Sequence, residues 1–163
     1  MKLHLALDVS NGKAYDYRLT HSRSADAPVA VKMLTEGGLA NVNIDEFLAD
    51  GAYDNYDIYK VLARRKIQPN VKIRKNAKYK KGNDQNLVWR NKSIDLASQK
   101  VKRRSLCSAL REQRIARGYG KRSLVETFFS RYKAYYGDRF MSRKRIHAER
   151  EVAFKVRILN QFA

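Results

Sequence analysis

Between Tyr119 and Lys133 the chain reads YGKRSLVETFFSRYK, and from Leu124 onward this run has the spacing of a helix with two unlike faces. Val125, Phe128, Phe129 and Tyr132 recur three and four residues apart, a stripe that must find a core. Glu126 and Lys133 lie seven residues apart, two turns along the other face. A carboxylate and two cations, Arg122 and Lys133, are thus carried on a helix anchored by aromatics. That arrangement suits a metal ion and a phosphate. It also has an ordinary explanation: Ser123 with Glu126 three residues later is a capping box.

The charge is unevenly spread. Residues 1–59 hold 5 Lys and Arg against 9 Asp and Glu, residues 60–104 hold 16 against 2, and residues 105–163 hold 14 against 5. The net is +19 over 163 residues, a length that suits one domain. An acidic part before a strongly basic one fits a polyanionic partner, most simply nucleic acid. If roughly 6–10 of these cations touch phosphates, binding falls steeply with salt. Charge alone does not separate an enzyme from a protein that only coats DNA or RNA. An apolar fraction of 44% excludes wholesale disorder. The single cysteine, Cys107, permits no internal disulfide and points to a reducing compartment. It has no CxxC or Cys/His companions, so zinc is not expected. No apolar run is long enough to span a membrane, and the start is too polar for a signal peptide.

Residues 3–8 alternate as a strand around Leu3, Leu5 and Leu7. Asn11-Gly12 predicts a two-residue hairpin turn, with 14–19 as the returning strand. Ser24 or Asp26 can cap a helix with Pro28 in its first turn and Val29, Met33 and Leu34 inward, ended by Gly37-Gly38. Residues 44–49 read as a buried strand stopped at Asp50-Gly51. Asp54 or Asn55 can cap a helix with the stripe Ile58, Val61 and Leu62. Residues 69–73 read as an edge strand because of Pro69. Residues 74–104 read as a basic loop or insertion, and 106–116 as a helix. Gly118 and Gly120 break the chain before the Glu126 helix, which Gly137 ends. A last helix over 142–160 should turn Ile146, Ala153, Val156 and Leu159 inward. The sum is a mixed α/β layer around a small sheet.

Asp8 and Asp50 both end core strands, where side chains emerge into a crevice. Each is also ordinary turn composition. Asp54 competes with Asp50. Asp50 is preferred because it directly follows the apolar strand, while Asp54 suits a helix cap. Three carboxylates meeting in one crevice would repel one another, and divalent cations remove that cost. Mg²⁺ takes a few carboxylates with water and phosphate oxygens. A pair of ions about 3.5–4 Å apart can serve both the attacking and the leaving oxygen. No nucleophile triad or GxxxxGKS phosphate loop is present. His4, His21 and His147 are scattered.

These residues carry a resemblance. HLALD ending at Asp8, FLADGAYD around Asp50 and VKIRKNA over 71–77 are similar to segments of DDE transposases from bacterial and archaeal insertion sequences. Tyr119, Arg122, Glu126 and Lys133 match that family's YREK signature in residue type and spacing. The resemblance runs from residue 3 to about 160. It implies a ribonuclease H-like mixed sheet flanked by helices, one catalytic domain over 1–163, with the basic insertion at about 74–104 before the last catalytic helix. It implies Asp8, Asp50 and Glu126 as ligands of two Mg²⁺ ions, with Mn²⁺ as substitute, for DNA strand cleavage and strand transfer. Tyr119, Arg122 and Lys133 would position backbone phosphates, Arg122 by a bidentate contact and Lys133 as a point charge. Trp89 could stack on a flipped base or pack the insertion against the sheet.

The implied partners are double-stranded DNA, at element ends and target, and a second copy of the chain in an active homodimer. The implied place is the cytoplasm, at the nucleoid. Family members usually carry an N-terminal segment that recognises element ends. Met1 lies almost inside the first strand, so that segment is expected to be missing, through truncation or a split reading frame. Two other readings stay open: a non-catalytic DNA-binding remnant, and a repair or RNA-cleaving nuclease on the same fold.

Overall fold

The computed structural model describes residues 1–73 and 118–163, together with positions 87, 88, 90, 91, 94, 115 and 116. Most of the expected insertion and of the 106–116 helix, with Trp89 and Cys107, lies outside the described residues. In chain order the elements are strands β1 (Lys2–Leu7) and β2 (Ala14–Thr20), helix α1 (Asp26–Glu36), strand β3 (Glu46–Ala49), helix α2 (Tyr56–Arg64), strand β4 (Gln68–Val71), and helices α3 (Ser123–Tyr136) and α4 (Arg145–Leu159). Short 3-10 turns cover Gly51–Tyr53 and Tyr119–Arg122. This is the mixed α/β class expected. The described strands pair two and two, β1 with β2 and β3 with β4. The chain divides into two compact units, Met1–Ser24 with Lys121–Ala163, and Ala25–Gly120.

In the first unit β1 and β2 run antiparallel, from Lys2 opposite Thr20 to Leu7 opposite Ala14, with an irregularity between Ala6 and Leu7. The turn is longer than the two residues expected. Residues 9–12 form the loop, closed by Asp8 N–H to the Lys13 carbonyl and Gly12 N–H to the Asp8 carbonyl, both 2.8 Å. Gly12 takes φ +73°, a conformation a side chain would resist. The strand stops at Leu7 because the Asp8 side chain captures the chain ahead of it, a local bond that competes with the ladder.

Helices α3 and α4 supply the rest of this core. Phe128 and Tyr132 of α3 are buried with Ala148, Val152, Val156 and Leu159 of α4, and Leu3, Leu5 and Leu7 pack against them. Ile146, expected inward, is 57% exposed. The α4 stripe starts at Ala148, about 200° around the helix from Ile146. Lys155 is buried within the stripe because its charge is answered. Its Nζ lies 2.5 Å from Glu151 and sits over the rings of Tyr132 and Tyr136, 5.8 and 5.3 Å from their centres. Asn160, just past α4, accepts from Ala14 N–H and donates to the Ala14 carbonyl, both at 2.8 Å. It serves β2 as a further strand would.

In the second unit β3 and β4 are parallel, with Glu46 opposite Gln68 and Ala49 opposite Val71. Parallel neighbours need a crossover, and α2 provides it. Ile58, Tyr59, Val61 and Leu62 of α2 are buried, as are Met33 and Leu34 of α1. Val29 is only half-buried; Ala27 takes the inward place in the first turn of α1. The cap position of α1 is Ala25, which makes no side-chain cap bond, and Asp26 stands inside the first turn, where the helix dipole favours its charge. Asn55 caps α2 by accepting from Asp57 N–H at 2.9 Å. Arg65 fixes the loop after α1, donating to the carbonyls of Leu34 at 2.8 Å and Val42 at 2.6 Å. No helix among the described residues is long and apolar enough to cross a membrane.

Candidate active site

Asp8 follows β1 directly. Its Oδ1 accepts from Ser10 N–H at 2.8 Å and from the Ser10 hydroxyl at 2.7 Å, and its Oδ2 from the Asn11 amide at 2.9 Å. The Ser10 amide, then the Ser10 hydroxyl, hold the carboxyl below its ordinary range against a smaller effect of burial, with Asn11 adding to them. Asp8 is therefore a fixed anion at neutral pH.

Asp50 follows β3, at the C-terminal end of a parallel pair, where open α/β sheets place their ligands. Its Oδ1 accepts from Ala52 N–H at 2.8 Å, capping the 3-10 turn. The residue before it is also held. The Ala49 carbonyl accepts from Lys72 N–H at 3.0 Å and from the Tyr119 hydroxyl at 3.1 Å.

Asp54 has a different occupation from the helix cap expected. Its carboxylate is 1% exposed and meets Arg90, with Nε to Oδ1 at 2.8 Å and Nη2 to Oδ2 at 3.5 Å. The Tyr59 phenol hydrogen-bonds to it as well; burial, then the Asp54 charge, push that phenol up, with Arg90 opposing. Asp54 is a buried, paired carboxylate, whereas Asp50 is half-buried. Sequence reasoning missed this pair. Its members lie 36 positions apart with no spacing rule to join them.

Glu126 stands in the first turn of α3. The capping box is not how this helix begins: it continues from the Tyr119–Arg122 turn, and Arg122 at the cap position is itself helical, at φ −56° and ψ −30°. Glu126 instead receives the Arg122 guanidinium four residues back. Side-chain exposures of 31% for Arg122 and 63% for Glu126 leave this pair open to solvent. Lys133 is exposed two turns on, about 10 Å along the axis.

Asp8, Arg122, Glu126 and Lys133 thus belong to the first unit, and Asp50, Asp54 and Tyr119 to the second. Within neither unit do three or more His, Cys, Asp or Glu side chains among the described residues gather as a metal cluster. In chemistry the donor set is oxygen only, which suits a hard divalent cation.

The family model described as the transposase DDE domain matches residues 1–161. The chain belongs to this family. Searches of curated proteins and of solved structures find no match. A DDE transposase domain serves DNA transposition in insertion sequences, and the family usually uses divalent metal ions. That is the family expected from the segments around Asp8, Asp50 and Glu126.

Proposed function

We propose that this DDE transposase domain cleaves DNA phosphodiesters and transfers the strand ends, on a ribonuclease H-like fold acting as one domain over 1–163. One observation carries the reading: the family match is continuous over 1–161 and takes in Asp8, Asp50 and Glu126 alike. These three would hold Mg²⁺ or Mn²⁺. The donor chemistry fits, since all three offer carboxylate oxygens and Asp8 is kept ionised. When bound, such ions activate the attacking oxygen and stabilise the leaving one.

The protein's own groups do the rest. Asp8 and Asp50 are pre-oriented by bonds from Ser10, Asn11 and Ala52. Arg122 neutralises Glu126 until something better arrives. An exposed pair four residues apart on a helix is worth only about 0.3–0.5 kcal/mol, so it yields readily. Arg122, once released, and Lys133 would bind backbone phosphates, Arg122 through its planar fork. The net charge of +19 supplies affinity for DNA. The active form would be a homodimer.

Supercoiled plasmid in Mg²⁺ or Mn²⁺ tests this. Asp8→Asn, Asp50→Asn and Glu126→Gln should each abolish nicking while DNA binding in EDTA stays near that of the parent. Parental nicking by all three variants would refute the assignment.

A further inference from the structure

Ala49 is the last residue of β3 and the neighbour of Asp50. Its carbonyl oxygen has two lone pairs, and both are used. One takes Lys72 N–H at 3.0 Å, which extends the pairing of β3 with β4 by a residue. The other takes the Tyr119 hydroxyl at 3.1 Å, from 70 positions along the chain. On the far side of the same peptide group, the Asp50 carboxylate is bound to Ala52 N–H at 2.8 Å. The backbone entering Asp50 and the side chain leaving it are both tied. Without Tyr119, the Ala49 carbonyl would keep the Lys72 N–H bond alone, at the end of a four-residue strand.

The geometry points to Tyr119 as a positioning residue for Asp50, acting through the Ala49 carbonyl rather than on DNA. The assignment rests on Asp50 being a metal ligand, as proposed above. A phenol has one proton to donate, and here a backbone oxygen receives it. Contact with a phosphate would require giving up that bond.

Tyr119→Phe in the full chain removes the hydroxyl and keeps the ring. Three measurements read the consequence: Mn²⁺ binding by calorimetry, duplex DNA binding by fluorescence anisotropy in EDTA, and hydrogen exchange at the Ala52 amide. Expected are a loss of Mn²⁺ affinity of roughly three- to tenfold, the range of one neutral hydrogen bond, faster Ala52 exchange, and a DNA Kd within twofold of the parent. Unchanged Mn²⁺ affinity and Ala52 exchange, with weaker DNA binding in EDTA, would overturn the proposal and make Tyr119 a phosphate contact. Asp50→Asn separates the two layers. If it binds Mn²⁺ as tightly as the parent, the metal assignment of Asp50 fails, and Ala52 exchange in Tyr119→Phe still decides for or against the tether.

Discussion

Asp50 and Asp54 lie four positions apart, yet the structure gives them opposite burdens, and substitution should separate them. The Asp54 carboxylate is 1% exposed and the Arg90 side chain 12%. Asp54→Asn keeps the shape, removes the charge, and leaves a guanidinium out of water beside a neutral amide. Breaking a buried pair on one side costs about 3–5 kcal/mol. Against a total stability of about 5–15 kcal/mol that is a large fraction. For a chain of this size, about 2–4 °C of Tm per kcal/mol gives a fall of about 6–20 °C. Asp50→Asn weakens one partly exposed bond to Ala52 N–H, a loss of about 1 kcal/mol. Replacing both buried partners with apolar groups, as in Asp54→Leu with Arg90→Met, should recover part of the loss, because no unpaired charge remains, while the buried Tyr59 phenol loses its acceptor. Thermal melts followed by circular dichroism, read beside plasmid nicking at low temperature, make the test. Asp54→Asn should melt early and still nick; Asp50→Asn should melt near the parent and not nick. Asp54→Asn melting within about 2 °C of the parent and failing to nick would refute the reasoning, and would make Asp54 the ligand.

Two further predictions concern the first unit. Burial alone would raise the Glu151 carboxyl, but Lys155 and the amides of Met141 and Ser142 outweigh it and hold the group down to about 2. A carboxyl depressed by folding stabilises above its unfolded value near 4.5 and loses that contribution as pH falls toward 2. Urea titrations from pH 6 to pH 2 should therefore show stability falling across that window, and Glu151→Gln should remove about 2–3 kcal/mol of the dependence. Asn160→Ala removes both bonds to Ala14 and should cost about 1–3 kcal/mol in urea, with the Ala14 amide losing its exchange protection.

Helical spacing made much of this chain legible. The aromatic stripe of α3 and the stripe of α2 are read from contacts three and four residues apart, the spacing at which the structure also joins Arg122 to Glu126, a pair the sequence reading did not draw. What failed was decided by longer-range or more local chemistry. Asn11-Gly12 looked like a two-residue turn, but Asp8 gathers Ser10 and Asn11 and lengthens the loop. Ile146 counted as core as an apolar residue of the last helix, and the place went instead to a stripe that includes Lys155. A buried lysine is admissible once Glu151 and two tyrosine rings meet it, and only the fold brings those together. The Asp54–Arg90 and Tyr119–Ala49 contacts span 36 and 70 positions, beyond any periodicity.

The carboxylates at the strand ends expose a false choice in reading such sites. Turn chemistry and metal ligation looked like rivals for Asp8 and Asp50, since either explains an acid after a strand. The structure shows the turn bonds made at both. A carboxylate offers about four lone-pair positions, and in these turn bonds Asp8 uses three and Asp50 one. Bonds of this kind fix the direction of a carboxylate and, at Asp8, keep it ionised, which is what the outer shell of a metal site does for its ligands. A turn that explains an aspartate is therefore no argument against its ligating a metal. The test that separates them is whether the carboxylate is spent inward on a buried cation, as Asp54 is on Arg90, or left with room for another partner, as at Asp50.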